Sequence, residues 1–132
     1  MIITKNIKEI DKNFEFLDSI VIKTTWSEDM LDLLVELDYF WDIQEGKEEA
    51  RLITLRLKNC FDASFKLPHF FHTVKSEERK SYLNSWYTIT SVEITEVSDK
   101  NYVCQIRTAD EESLWLDAKC EEIWLEGSED SD

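Results

Sequence analysis

His69 and His72 are the only histidines, and their three-residue spacing would set both imidazoles on one face of a helix, where they could begin a metal site. Such a site needs at least one further ligand and groups that orient the rings, and no neighbour in the chain has that character. Phe70 and Phe71, between them, favour a loop packed onto a sheet. Cys60, Cys104 and Cys120 are too widely spaced for a cysteine-rich zinc site, so neither a metal nor a cofactor is expected. Nucleophilic catalysis would need Ser19, Ser85 or a cysteine beside a base that a third group orients. Both histidines lie together, no serine has the sharp-turn glycine motif, and Gly46 and Gly127 cannot form a phosphate-cradling loop. With 29 Asp and Glu, some carboxylate pair reaches any chosen separation by chance, so abundance carries no catalytic signal. No catalytic residue is assigned, and the chain is expected not to be an enzyme.

The carboxylates point to binding instead. Asp32, Glu36 and Asp38 share one parity of an alternating stretch, and Trp41 and Asp42 follow at its end. The run Asp42-Ile43-Gln44-Glu45-Gly46 lacks the ordered alternation of a calcium loop. Two readings stand for this face: a solvated strand, or an acidic docking surface with Trp41 as an aromatic anchor. Asp117, Glu121 and Glu122 form a second candidate patch. The expected partner is a basic protein.

Charge supports that choice. The 132 residues carry 29 acids and 15 Lys and Arg, for a formal charge of -14. Residues 28–49 hold nine acids and one Lys, and residues 110–132 hold ten acids and one Lys. Residues 1–27 balance, and 50–109 are slightly basic. Phosphate backbones would repel such a chain, so no nucleic-acid partner is expected. Met1 to Lys12 lacks the pattern of a signal peptide, and no stretch approaches the roughly 20 apolar residues of a membrane helix. An odd number of separated cysteines suits reduced thiols in the cytoplasm.

The elements that must hold these groups are mainly strands. A hydrophobic share of 42% requires a folded core, and the length suits a single domain over 1–126 with a frayed acidic tail at 127–132. Phe14 to Trp26 alternates, and Met30 to Trp41 does so more clearly, with Leu31, Leu33, Val35, Leu37, Tyr39 and Trp41 on the inward face. Leu52 to Leu57 alternates with Arg56 and Lys58 on its wet side. Ala63 to Leu67 forms a short strand stopped by Pro68, and Lys75 to Ser81 is one helix or a loop. Trp86 to Val97 and Tyr102 to Thr108 form a hairpin, while Ser113 to Glu126 reads as strand or as strand passing into helix. Ile3, Ile7 and Ile10 allow a short helix near the start. The expected fold is mostly β: about seven antiparallel strands, rolled or two-layered, with at most one or two short helices.

Three stretches, Phe16-Leu17-Asp18-Ser19-Ile20, Leu37-Asp38-Tyr39-Phe40-Trp41 and Leu55-Arg56-Leu57-Lys58-Asn59-Cys60, give the first half a pattern that resembles small cytosolic bacterial immunity proteins of polymorphic toxin systems. Leu17 stands where that group carries a histidine, so no role of that histidine transfers. The resemblance implies an inhibitor that neutralises a cognate toxin by direct binding. The competing reading is a structural or regulatory domain that self-associates through exposed aromatics; a small enzyme ranks third.

Overall fold

A computed structural model describes residues 2–66, 75–78, 86–108 and 114–127. In chain order the elements are β1 (Ile2–Thr4), α1 (Ile7–Asn13), β2 (Ile20–Trp26), β3 (Leu33–Asp38), α2 (Trp41–Gln44), β4 (Leu52–Lys58), β5 (Asp62–Phe65), β6 (Ile89–Ser98), β7 (Asn101–Thr108), β8 (Leu114–Cys120) and β9 (Glu122–Gly127). A 3-10 turn occupies Ser76–Glu78. The strands pair antiparallel in two sheets, β1-β9-β4-β3-β2 and β5-β8-β7-β6. This is the mostly β fold expected; of the rolled and two-layered alternatives it takes the second, with two short helices among the described residues.

Period-two burial builds the core. Leu33, Val35 and Leu37 of β3 lie opposite Leu57, Leu55 and Ile53 of β4, and Leu55 and Leu57 lie opposite Leu125 and Ile123 of β9. All are buried, and the second sheet meets them with Cys104, Ile106, Leu116, Ala118 and Cys120. Burying each large aliphatic side chain contributes roughly 1.5–3 kcal/mol. α1 adds the fully buried Ile10 to this core; Asn6 caps it by accepting from the Lys8 N–H at 2.9 Å.

Two strand pairs are one ribbon bent in the middle. β4 pairs with β9 in the five-stranded sheet, and their continuations β5 and β8 pair in the four-stranded one. At the bend the Glu121 N–H donates to the Lys58 carbonyl at 2.9 Å, and the Phe61 N–H donates to the Lys119 carbonyl at 3.0 Å. Asn59 turns the chain there with a φ of 48°, a left-handed conformation that asparagine tolerates better than most residues. A second joint lies at Asp18 and Ser19, where the Asp18 N–H donates to the Ile89 carbonyl at 2.9 Å and the Ile89 N–H to the Ser19 carbonyl at 2.7 Å.

The differences from the sequence reading have local causes. The described residues hold nine strands in place of about seven. β1 is only three residues long, too short to show a period, and 113–126 is not one element, since the bend at Glu121 sends β8 and β9 into different sheets. Both Cys120 and Ile123 are buried across that bend, which breaks the alternation and imitates a helical spacing. Phe14 and Phe16 precede β2 rather than belonging to it; they pack with Tyr39 at ring separations of 5.9 Å each. Trp41 opens α2 instead of ending β3. Of the helix or loop expected at Lys75 to Ser81, only the turn at Ser76–Glu78 is described, and Pro68, His69, His72, Ser85 and the tail at 128–132 lie outside the described residues.

Candidate protein-binding surface

The acidic parity of β3 faces outward on the five-stranded sheet, as expected, but β4 lies beside it with Arg56 and Lys58 on the same face. Asp32, just before β3, is only 2% exposed. Its Oδ2 accepts from Arg56 Nε at 2.8 Å and Lys58 Nζ at 3.0 Å, and its Oδ1 accepts from the Asn59 N–H at 2.9 Å. Burial by itself raises this carboxyl's pKa; the Asn59 N–H, Lys58 and Arg56 outweigh it and hold the group below its ordinary range. On the other side of β4, Arg56 Nη1 also reaches Glu126 Oε1 of β9 at 3.5 Å. A basic strand between two acidic ones therefore neutralises part of the charge that the sequence assigns to a partner.

Asp42 is likewise interior, at 1% exposure. Its carboxylate receives the Arg51 N–H at 2.9 Å, Arg51 Nε at 2.8 Å, Arg51 Nη2 at 3.1 Å and Lys47 Nζ at 3.1 Å. Although burial acts upward, the Arg51 and Lys47 hydrogen bonds lower its pKa to about 2. Asp32 and Asp42 are thus buried ion-pair centres, which corrects their assignment to a contact face: cations from adjacent segments already occupy their carboxylates.

The remaining candidates are dispersed. Glu36 and Asp38 are half-buried on the outer face, and burial, followed by the nearby Asp42 charge, raises the Asp38 carboxyl. Trp41 is half-buried and packs against the core, so it is no free anchor. Asp117 lies between the buried Leu116 and Ala118 and so points to the outer face of the other sheet. Glu121 accepts from Asn59 Nδ2 at 3.2 Å at the ribbon bend, and Glu122, exposed, lies opposite Lys58. Glu121 and Glu122 therefore join the Asp32 surroundings, while Asp42 and Asp117 stand apart.

The sequence reading missed a cluster of exposed apolar side chains at one end of the two sheets. Trp26 is 42% exposed, Met30 69%, Leu31 52% and Phe61 58%. The first three flank or occupy the β2–β3 turn, where the Ser27 N–H donates to the Asp32 carbonyl at 2.9 Å and the Met30 N–H to the Ser27 carbonyl at 2.8 Å. Asp29 Oδ1 accepts from Ser27 Oγ at 2.5 Å and from the Leu31 N–H at 3.1 Å; these two donors lower its pKa. Met30 takes a φ of 62°. The Cys60 N–H donates to the Leu31 carbonyl at 2.7 Å, bringing Phe61 to the same end. A legible signal existed: Ser27-Glu28-Asp29 between two apolar runs marks a turn, so Met30 and Leu31 fall before the strand rather than within it.

Of the nucleophile candidates, Ser19 and the three cysteines are described. Ser19 is fully buried and its Oγ accepts from the Phe40 N–H at 3.0 Å. The three cysteines are free thiols; burial pushes Cys60 up, Cys120 up to about 12, and Cys104 higher still. Iodoacetamide at pH 8 is therefore expected to add a single group to the native protein, at half-buried Cys60, and three after denaturation. Intact-mass analysis checks this, and rapid native labelling at Cys104 or Cys120 would contradict the packing. Among the described residues no three His, Cys, Asp or Glu side chains come together as a metal site, and no helix is long and apolar enough to cross a membrane.

Comparison with known proteins adds the fold. A solved structure of an uncharacterised protein from Neisseria gonorrhoeae matches with a TM-score of 0.55 at 12% identity, covering 84% of this chain and 92% of that one. No family model matches the chain, and no curated protein matches it. At such identity the likeness shows a shared architecture alone.

Proposed function

We propose that this protein is a non-catalytic binding module that neutralises a basic protein partner by direct contact, in the manner of an immunity or inhibitor protein, in the cytoplasm. One observation carries the reading. Of the described acids only Asp32 and Asp42 are buried, and each is saturated by cations. The fold thus pairs Lys47, Arg51, Arg56 and Lys58 with these two carboxylates and leaves the negative excess on surface side chains. A surface field of that sign accelerates encounter with a positively charged protein and disfavours acidic competitors. The free thiols support a reducing compartment.

Salt dependence tests the proposal. The partner is to be recovered from extract of the native organism with the tagged full chain, identified by mass spectrometry and purified. A basic isoelectric point is expected, and raising salt from about 50 to 500 mM should slow association at least tenfold by screening. An acidic partner, or an association rate indifferent to salt, would sink the reading.

A further inference from the structure

We infer that the end formed by Trp26, Met30, Leu31 and Phe61 is the docking tip, and that it fits an apolar recess ringed by Lys or Arg on the basic partner. This rests on the binding function just proposed and gives it a location. Large apolar side chains exposed together mark interaction sites, and tryptophan, phenylalanine and methionine are enriched at interface centres. Trp26 at the end of β2, Met30 in the turn that follows and Phe61 in the β4–β5 connection supply all three types.

The tip is also held in shape. The Ser27–Asp29 turn fixes Met30, and the Leu31 carbonyl ties to the Cys60 N–H. Phe61 is anchored through its N–H to Lys119, and buried Asp32 holds the Asn59 N–H beside it. Anchors already ordered in the free protein lose little entropy on binding.

Charge selects the occupant. Asp32 draws Arg56 and Lys58 onto the outer sheet face; beside the apolar group Asp62 lies opposite the exposed Lys119, and Glu28 and Asp29 remain exposed as the acidic side chains of the turn. A second copy would set the same carboxylates against one another, with a formal charge of -14 on each chain, a repulsion that a cationic rim avoids.

The probe is the full chain carrying the photo-crosslinker p-benzoylphenylalanine at position 30, 61 or 48, irradiated in native extract. Position 48, in the acidic segment after α2, is the control. Each adduct is identified by mass spectrometry, and the recombinant partner is titrated with Met30→Ala, Phe61→Ala and Glu48→Lys variants. Circular dichroism and urea midpoints confirm folding, which these exposed positions should preserve. Adducts to one basic protein from positions 30 and 61, with M30A and F61A each weakening binding at least tenfold through faster dissociation and E48K within threefold, would support the assignment. Adducts to a basic protein from position 48 alone, with M30A and F61A unchanged, would overturn the tip and leave the proposed function standing. Adducts to an acidic protein, or none at any position, would overturn both. A self-adduct with concentration-dependent dimerisation that M30A abolishes would assign the tip to self-association and reject a basic occupant.

Discussion

Replacing Asp42 by alanine should lower the unfolding free energy by about 2 kcal/mol, because the buried carboxylate's hydrogen bonds are lost while the half-exposed cations it holds regain solvent. Arg51 would lose its bidentate acceptor as well as the acceptor of its own N–H, and Lys47 would lose its partner. The same carboxylate makes stability depend on pH. Its folded pKa of about 2 lies below the ordinary 3.8, so the folded state holds the proton less tightly than the unfolded chain. Its stabilisation is therefore complete above about pH 4 and disappears as pH falls through 2. The linkage amounts to at most about 2 kcal/mol, reduced by solvent screening because Arg51 and Lys47 are about half exposed. Urea denaturation at pH 7 measures the first effect. Midpoints between pH 2 and 5 measure the second, and Asp42→Asn should flatten that acid limb. An Asp42→Ala midpoint equal to wild type would contradict the buried pairing.

Asp32→Ala is expected to cost more, about 3 kcal/mol, for a different structural reason. Asp42 closes a local excursion between neighbouring segments, whereas Asp32 joins the β2–β3 turn to the end of β4 through Arg56, Lys58 and the Asn59 N–H. Its loss strands two cations that are themselves about three-quarters buried. It also removes the acceptor that holds the Asn59 N–H beside a left-handed turn. Equilibrium urea unfolding gives the magnitude. Hydrogen exchange should show local loosening at Leu31, Asn59 and Cys60 before global unfolding. The double variant Asp32→Ala with Arg56→Met should recover part of the loss, since it removes one uncompensated charge; strict additivity would deny the coupling. Charge reversal at Asp32 consequently reports on folding before it reports on any partner.

The parts of the fold set by alternation could be read directly. In β3 and β4, each inward side chain recurs at the second position and the facing strand supplies a matching apolar residue, so one stretch of chain contains its own evidence. Burial of Asp32 could not be read that way. Its parity is that of a wet face, and its environment depends on which strand becomes the neighbour. Arg56 and Lys58 were visible as basic outward residues, but only the order β9-β4-β3 places them between acidic strands. Met30 and Leu31 show the opposite failure: alternation extended into a turn, giving Leu31 an inward position that its 52% exposure denies and Met30 a strand conformation that its left-handed backbone denies. Phe14 and Phe16 imitate a strand because both gather around Tyr39, whose hydroxyl accepts from the Glu15 N–H between them at 3.0 Å.

The bent ribbon of β4–β5 and β8–β9 has a kinetic consequence. Residues 52–65 must find residues 114–127, so either sheet is completed only after a closure spanning nearly half the chain. The entropy of that closure must be lost before most of the core can form, which places the fold among slow, topologically nonlocal folders. Once formed, the ribbon crosses both layers, so opening β4–β9 in one sheet pulls on β5–β8 in the other through the bend. One cooperative unfolding event shared by the two layers is the expected outcome, with urea transitions followed by tryptophan fluorescence and by circular dichroism coinciding.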